Sequence, residues 1–496
     1  MSITNLHLII LSLLIIGYFS LRFFSLDSFP VFVDEAIYVR WSQLIKTEAG
    51  LRFVPLQDGK QPLFMWIAAG FLKFISNPLI AGRLVSAISG FGTMIGVGVL
   101  AWLLTKKVNL SSWGMFLIVV LPFSLFFDRL ALVDSLLACF GIWSLVLSFL
   151  LAREKRLDLA MILGIVVGLA MITKSPGLYF LFLSPAVIFF YGFDRKRKKD
   201  VLSLLGLVSV SLAFSLVIYS VLRLGPNFHM IGLRNKDYVW PIAEIIKHPL
   251  DPLIPHLKDV YRYYWGYLTL PVVVLGLIGM QRAVGKDRKN LILIFWWLAP
   301  LLGQSAIGKT FTARYILYGV PLFIVFSLFA IDYIQNKISG LSKGAAIILL
   351  VGLLLPILRF DSVLLLSPEN TPLPKDEKNG YLEDWSSGWG IKEAANLIRL
   401  LPKDIPILVG TEGYFGTLPD GLQIYLDKEP AVSVIGVGYP VSTIPTSLLE
   451  NVAAGNRSFL LVNQSRFLIS NQNGLDFVSE YQKPGGDKLL LFELKK

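Results

Sequence analysis

Val31-Phe32-Val33-Asp34-Glu35-Ala36-Ile37-Tyr38 stands just beyond an apolar run from Leu6 to Phe24. A run of about 19 apolar residues is long enough to cross the hydrocarbon core of a bilayer. It carries no basic n-region and no small-residue cleavage site, so it reads as a retained first span and not as a removable signal. Two adjacent acids therefore emerge directly at a membrane surface. The rest of the chain agrees with that reading: 54% of its 496 residues are hydrophobic and only 16% charged. Such a composition excludes an ordinary soluble enzyme and predicts a multi-pass membrane protein. The single cysteine, Cys139, excludes an intrachain disulfide and a cysteine-based metal site.

Apolar runs at about 6–24, 79–104, 112–128, 132–152, 157–173, 177–193, 200–223, 267–281, 291–307, 314–333 and 344–360 predict a mainly α membrane protein with roughly 11 transmembrane helices. Basic clusters fall in alternate loops, at Lys106-Lys107, Arg153 to Arg156, Arg195 to Lys199, Arg282 to Lys289, and Lys337 with Lys343. The positive-inside rule makes those loops cytoplasmic. The N-terminus is then cytoplasmic, the C-terminal segment is exterior, and the chain sits in the cell (plasma or inner) membrane. The net charge of +12 is thus topology and not a nucleic-acid surface.

The opposite loops are exterior. The first, about Ser25 to Asn77, holds two short segments of interfacial-helix character, Glu35 to Ile45 and Pro62 to Phe71. After the last span, Ser367-Pro368-Glu369-Asn370-Thr371-Pro372-Leu373-Pro374-Lys375 is a Pro-rich boundary. We expect a transmembrane domain over 1–360, a linker over 361–390, and a small exterior α/β domain over 391–496. In the last, Lys392 to Arg399 reads as helix, and Ile405 to Gly410, Ser458 to Val462 and Leu489 to Leu494 as strands.

Ionisable groups recur at the exterior ends of the spans: Asp34 and Glu35, Lys60, Asp128 and Arg129, Asp134, Lys174 and Arg314. Charges near membrane depth are costly and point to function. Carboxylates suit a general base or a metal ligand, and Lys and Arg suit a phosphate. That mixture fits group transfer from a lipid-anchored phosphate. The competing readings are a cap on an interfacial helix for Asp34-Glu35, a snorkelling lysine for Lys60, a surface pair for Asp128-Arg129 and a turn marker for Lys174. His229, His248 and His256 lack metal-ligand spacing.

Five pieces in order, Asp34-Glu35-Ala36-Ile37-Tyr38, Gly59-Lys60-Gln61-Pro62-Leu63-Phe64-Met65-Trp66, Asp128-Arg129-Leu130-Ala131-Leu132-Val133-Asp134, Thr173-Lys174-Ser175-Pro176-Gly177 and Ala313-Arg314-Tyr315-Ile316-Leu317, carry a resemblance over about residues 1–335. The chain resembles the C-type membrane glycosyltransferases, in the branch of the protein O-mannosyltransferases and the aminoarabinose transferase of lipid A. It departs from the usual Lys-Pro-Pro-Leu at Lys60-Gln61-Pro62-Leu63, and it lacks the Trp-Trp-Asp signature of oligosaccharyltransferases. The resemblance implies a C-type glycosyltransferase fold and inverting transfer of a sugar from a polyprenyl-phosphate donor to a hydroxyl of a protein, lipid or polysaccharide acceptor at the exterior face. It implies Asp34 as general base, Glu35 as its neighbour holding Asp34 or the acceptor, and Asp134 as the second acid. Lys60, Lys174, Arg314 and Arg129 would bind the donor phosphate, and Tyr38 and Tyr315 would touch acceptor or sugar. The cofactor these roles leave open is a divalent metal ion on Asp34 and Asp134. The bilayer is the remaining partner. A transporter or flippase of lipid-linked sugars is the alternative, and no broken-helix repeat supports it.

Overall fold

The computed structural model describes residues 5–192, 198–338 and 343–495. The basic stretch Arg195-Lys196-Arg197 lies outside them. In chain order the first helices are α1 (Asn5–Phe23), α2 (Val33–Thr47), α3 (Leu63–Phe71), α4 (Pro78–Thr105), α5 (Val108–Val120), α6 (Pro122–Asp128) and α7 (Val133–Glu154). Among the described residues, eight helices are long and apolar enough to cross a membrane, and two bent pairs and one shorter apolar helix, Leu157–Met171, accompany them. Together these occupy the eleven expected apolar segments, but not all as straight spans. Helices α5 and α6 meet at 56°, because Pro122 cannot donate its amide to the preceding turn. The helical stretch Leu253–Leu268 turns by 114° into Leu270–Lys286.

The described residues form two compact units. The first comprises 1–24, 50–64 and 85–365, and the second comprises 25–49, 65–84 and 366–496. This division differs from the expected boundary at 360. The last apolar helix runs on to Leu366, and most of the first loop folds with the C-terminal residues and not with the spans.

In the first unit, the 224–265 loop is largely helical, with segments Met230–Tyr238, Ile242–Lys247 and Leu253–Tyr263. Of its aromatic run, Tyr263 and Tyr264 are buried whereas Tyr261 and Trp265 are exposed. His256 is buried, with Nδ1 2.8 Å from the Ser305 carbonyl oxygen, which is a structural hydrogen bond.

In the second unit a five-stranded sheet has the order β2-β1-β3-β5-β4, where β1 is Ile407–Thr411, β2 Val432–Gly436, β3 Arg457–Asn463, β4 Leu475–Gln482 and β5 Lys488–Leu494. The apolar runs of β1 and β3 put them at the centre, parallel to each other, as continuous hydrophobic strands require. Strand β2 pairs parallel with β1, and β3, β5 and β4 are antiparallel in turn. Helices Asp420–Leu426 and Thr446–Ala453 are the crossovers. A core of Val441, Leu448, Leu460, Val462, Leu475 and Phe492 fills one face.

Helix α2 packs on this domain. Gln43 Nε2 donates to the Ile424 carbonyl at 2.9 Å, and the Trp41 and Phe415 rings lie 5.6 Å apart. The chain entering α2 is clamped by 386–388: the Val33 amide donates to the Ser386 carbonyl at 3.1 Å, and the Gly388 amide to the Val31 carbonyl at 2.8 Å. Residues 379–388, expected as linker, are thus folded structure, with the Tyr381 ring centre 4.3 Å from that of Phe32.

Candidate active site

The second unit presents the paired acids. Both fall in the first turn of α2, where the helix dipole favours negative charge. Their environments diverge sharply. Glu35 is fully buried and receives the Phe32 amide at 3.0 Å, closing one side of a capping box. Its oxygens also receive Arg83 Nε and Nη2, each at 2.8 Å. The same guanidinium donates to the carbonyls of Leu26 at 2.7 Å, Phe29 at 3.0 Å and Pro30 at 3.1 Å. A planar, five-donor group is the side chain that can serve a bidentate carboxylate and a turn of carbonyls at once. Glu35 therefore fixes the entry to α2, the turn that carries Asp34. Asp34 is the half-buried member of the pair. Tyr38, one turn on, is buried. Arg83 was missed by sequence reasoning. An arginine five positions into the apolar helix α4 is itself the signal that could have found it.

The first unit gathers a second set. Asp134 opens α7, and Lys174 sits just before the 3-10 turn Ser175–Gly177; Lys174 Nζ lies 2.6 Å from Asp134 Oδ1. Asp134 is 2% exposed and its Oδ2 is buried with no hydrogen-bond partner among the described residues. Lys174 Nζ stands 4.4 Å from the Tyr315 ring centre, and Arg314 Cζ 5.4 Å from the same ring. Lys174, Asp134, Arg314 and Tyr315 are thus brought together. Gln61, the departure from the usual proline, donates from Nε2 to Ser175 Oγ at 2.9 Å, so the Lys60 segment is docked on the Lys174 turn. Lys60 Nζ donates to the Tyr238 hydroxyl at 2.9 Å and lies 4.2 Å from that ring's centre. Gly59 sets this up. Its φ of +69° is left-handed, and a Cβ there would lie 2.7 Å from Arg234 Cβ, so only glycine lets the loop reach the Met230–Tyr238 helix.

Asp128 and Arg129 go elsewhere. Asp128 accepts from Arg22 Nη2 at 3.2 Å, the Tyr18 hydroxyl at 3.1 Å and Ser135 Oγ at 2.9 Å, all buried. Arg129 Nη1 donates to the carbonyls of Leu21 at 2.8 Å, Arg22 at 3.0 Å and Phe24 at 2.8 Å. These are the orphan carbonyls at the C-terminal end of α1, where a cation is favoured. Arg129, expected as a donor-phosphate ligand, thus caps α1 through Nη1. No group of three or more His, Cys, Asp or Glu side chains among the described residues is arranged to hold a metal ion. Asp34 and Asp134 belong to different units.

A helical membrane domain, an α/β domain and clustered acids and cations define a class, and comparison with known proteins names it. The family model described as dolichyl-phosphate-mannose-protein mannosyltransferase matches residues 59–219. The structure of ArnT from Cupriavidus metallidurans in the apo state is similar over 98% of this chain and 97% of that one, at 15% identity and a TM-score of 0.59. ArnT bound to undecaprenyl phosphate gives 99% and 98%, 16% identity and 0.56. The Archaeoglobus fulgidus oligosaccharyltransferase tethered with an acceptor peptide gives 99% and 74%, 12% identity and 0.54. No curated protein matches by sequence. The family match and the shared fold together identify a membrane glycosyltransferase of the C-type superfamily. Within it, the chain is similar to the dolichyl-phosphate-mannose-protein mannosyltransferases over residues 59–219 and to ArnT in fold.

Proposed function

We propose that the protein transfers a sugar from a polyprenyl-phosphate donor to an acceptor hydroxyl with inversion, Asp34 acting as general base. The observation that carries this reading is the division of labour in the acid pair. Glu35 is held by Arg83 and the Phe32 amide, and Asp34 stands half-buried beside it in the helix N-terminal turn. The acceptor oxygen attacks the anomeric carbon as the bond to the phosphate oxygen breaks. The hydroxyl proton passes to the Asp34 carboxylate, and the polyprenyl phosphate leaves with the bonding pair. Lys60, Lys174 and Arg314 stabilise the charge that grows on the departing phosphate. The cognate ArnT structure with undecaprenyl phosphate supports a phosphate of this kind as the donor's carrier. Asp134 orients Lys174. A divalent ion at Asp134 would need donor-phosphate oxygens to complete its shell. The alternation of basic loops in the sequence supports a reaction at the exterior face.

The test is sugar transfer by Asp34→Asn in purified, folded protein. Transfer drops to background if Asp34 is the base, and wild-type turnover in the variant removes that role.

A further inference from the structure

In the second unit, β1, β2 and β3 are parallel, and the strand order places β2 and β3 on opposite sides of β1. The connection leaving β1 runs to β2 on one side and the connection leaving β3 runs to β4 on the other, so the β1/β3 boundary is a switch point, and the crevice outside the carboxyl ends of the strands there is the place where open α/β sheets bind ligands. Three residues past the end of each strand stands a large planar side chain: Tyr414 after β1, Tyr439 after β2 and Arg466 after β3. Tyr414 is 76% exposed and Tyr439 65%, although both loops are firmly built. The Gly413 amide donates to the Gly438 carbonyl at 2.9 Å, and a Cβ on Gly436 would lie 2.3 Å from the Gly413 oxygen, so the loops meet backbone to backbone.

The polar groups are equally fixed. The Arg466 guanidinium is held 3.8 Å from the Trp385 ring centre and 4.6 Å from that of Tyr439. Glu412, 2% exposed, accepts from the Asn463 amide at 2.8 Å and from Asn463 Nδ2 at 2.6 Å, and stands 3.8 Å from Arg466. Arg466 and the buried Lys483, whose Nζ donates to the Asp384 and Ser387 carbonyls at 2.9 Å each, interact with the acids Glu412, Asp384 and Asp487, so the cations do not outnumber the acids. Phosphate recognition calls for a surplus of cations, which this crevice lacks. Exposed aromatic faces beside a neutral, rigid donor-acceptor pair match a sugar ring, whose C–H face meets the negative face of a tyrosine and whose hydroxyls meet the polar groups.

We propose that this crevice binds a neutral saccharide unit of the acceptor. Its position connects it to the chemistry. Gly416, in the Tyr414 loop, is so close to the start of α2 that a Cβ there would lie 3.3 Å from Val33 Cγ2, and Val33 immediately precedes Asp34. The inference rests on Asp34 being the base, and it adds that the acceptor is glycan in nature.

The test uses full-length protein in detergent and titrates maltotriose, cellotriose and mannotriose, with mannose 6-phosphate as the charged comparison. At least one neutral trisaccharide binds, Tyr414→Ala and Tyr439→Ala each weaken it roughly two- to tenfold, and Tyr414→Phe, which keeps the ring, restores it. Absence of binding by all three neutral sugars, tighter binding of the phosphorylated sugar, or equal binding by the alanine variants overturns the proposal. Asp34→Asn separates the two readings. If it keeps full transfer activity, the base assignment fails; if it is inactive while the tyrosine variants bind normally, only the saccharide site fails.

Discussion

Arg83 and Glu35 form a bidentate ion pair with both side chains sealed from solvent, Nε to Oε1 and Nη2 to Oε2. Burying two charges costs desolvation that only good geometry repays, and removing one partner strands the other, at about 3–5 kcal/mol. Arg83→Lys keeps the charge but cannot bridge both oxygens and three carbonyls. We expect it to lose nearly as much thermal stability as Arg83→Ala and to abolish transfer by releasing the Asp34 turn. Scanning fluorimetry and a transfer assay read both effects. A lysine variant as stable as wild type would show that charge alone suffices.

Lys174→Ala leaves Asp134 buried with both oxygens unserved by a cation. Its stability falls, and adding Asp134→Asn recovers part of the loss because the stranded charge is gone. Binding of undecaprenyl phosphate, measured on the same proteins, stays weak in both, since the phosphate ligand is missing in each. Recovery of binding in the double variant would assign the phosphate to another group.

Arg129→Ala removes three hydrogen bonds to the end of α1. Charge-assisted bonds of this sort are worth about 1.5–3 kcal/mol. A lower unfolding temperature with undecaprenyl phosphate affinity unchanged is the expected pair of results, and a selective loss of affinity would return Arg129 to the donor site.

Burial raises the carboxyl of Asp420, whose Oδ2 accepts the Gly416 amide at 2.7 Å, to about 6. Folding thus favours its protonated form. That contribution is fully present below the unfolded value of 3.8 and is lost as the pH rises through 6. At roughly 1.4 kcal/mol per pH unit, up to ~3 kcal/mol is at stake. Asp420→Asn keeps an acceptor for Gly416 without the charge. It should match wild type at pH 4 and unfold at higher temperature at pH 7.5, which a pH series of melting curves checks.

Much of this was legible in the chain. The apolar runs marked all eleven segments, because hydrocarbon thickness leaves few alternatives, and the central strands β1, β3 and β5 stood out as apolar runs. Strands β2 and β4 were missed: they are edge strands, with exposed residues such as Ser433 and Phe477 that break the pattern. In the site, Lys174 and Asp134 were identified as charges at span ends and the structure pairs them. The partners of Glu35 and Arg129 were not legible, since Arg83 lies 48 residues from Glu35 and the α1 carbonyls lie 105 to 108 residues from Arg129. Backbone acceptors carry no sequence signal at all. The docking of α2 on the C-terminal domain was hidden for the same reason, being a long-range backbone pairing of 31–33 with 386–388.

That pairing has a temporal side. The segment that stitches the Asp34 turn down leaves the ribosome more than 350 residues after it. At about 5–20 residues per second, the delay is on the order of 20 to 70 s. For that interval the membrane helices can insert and assemble while the acid turn still lacks its backbone partners. The acid turn is therefore fixed only after the spans have been made, and a chain truncated before Ser386 would lack the backbone partners of Val31 and Val33.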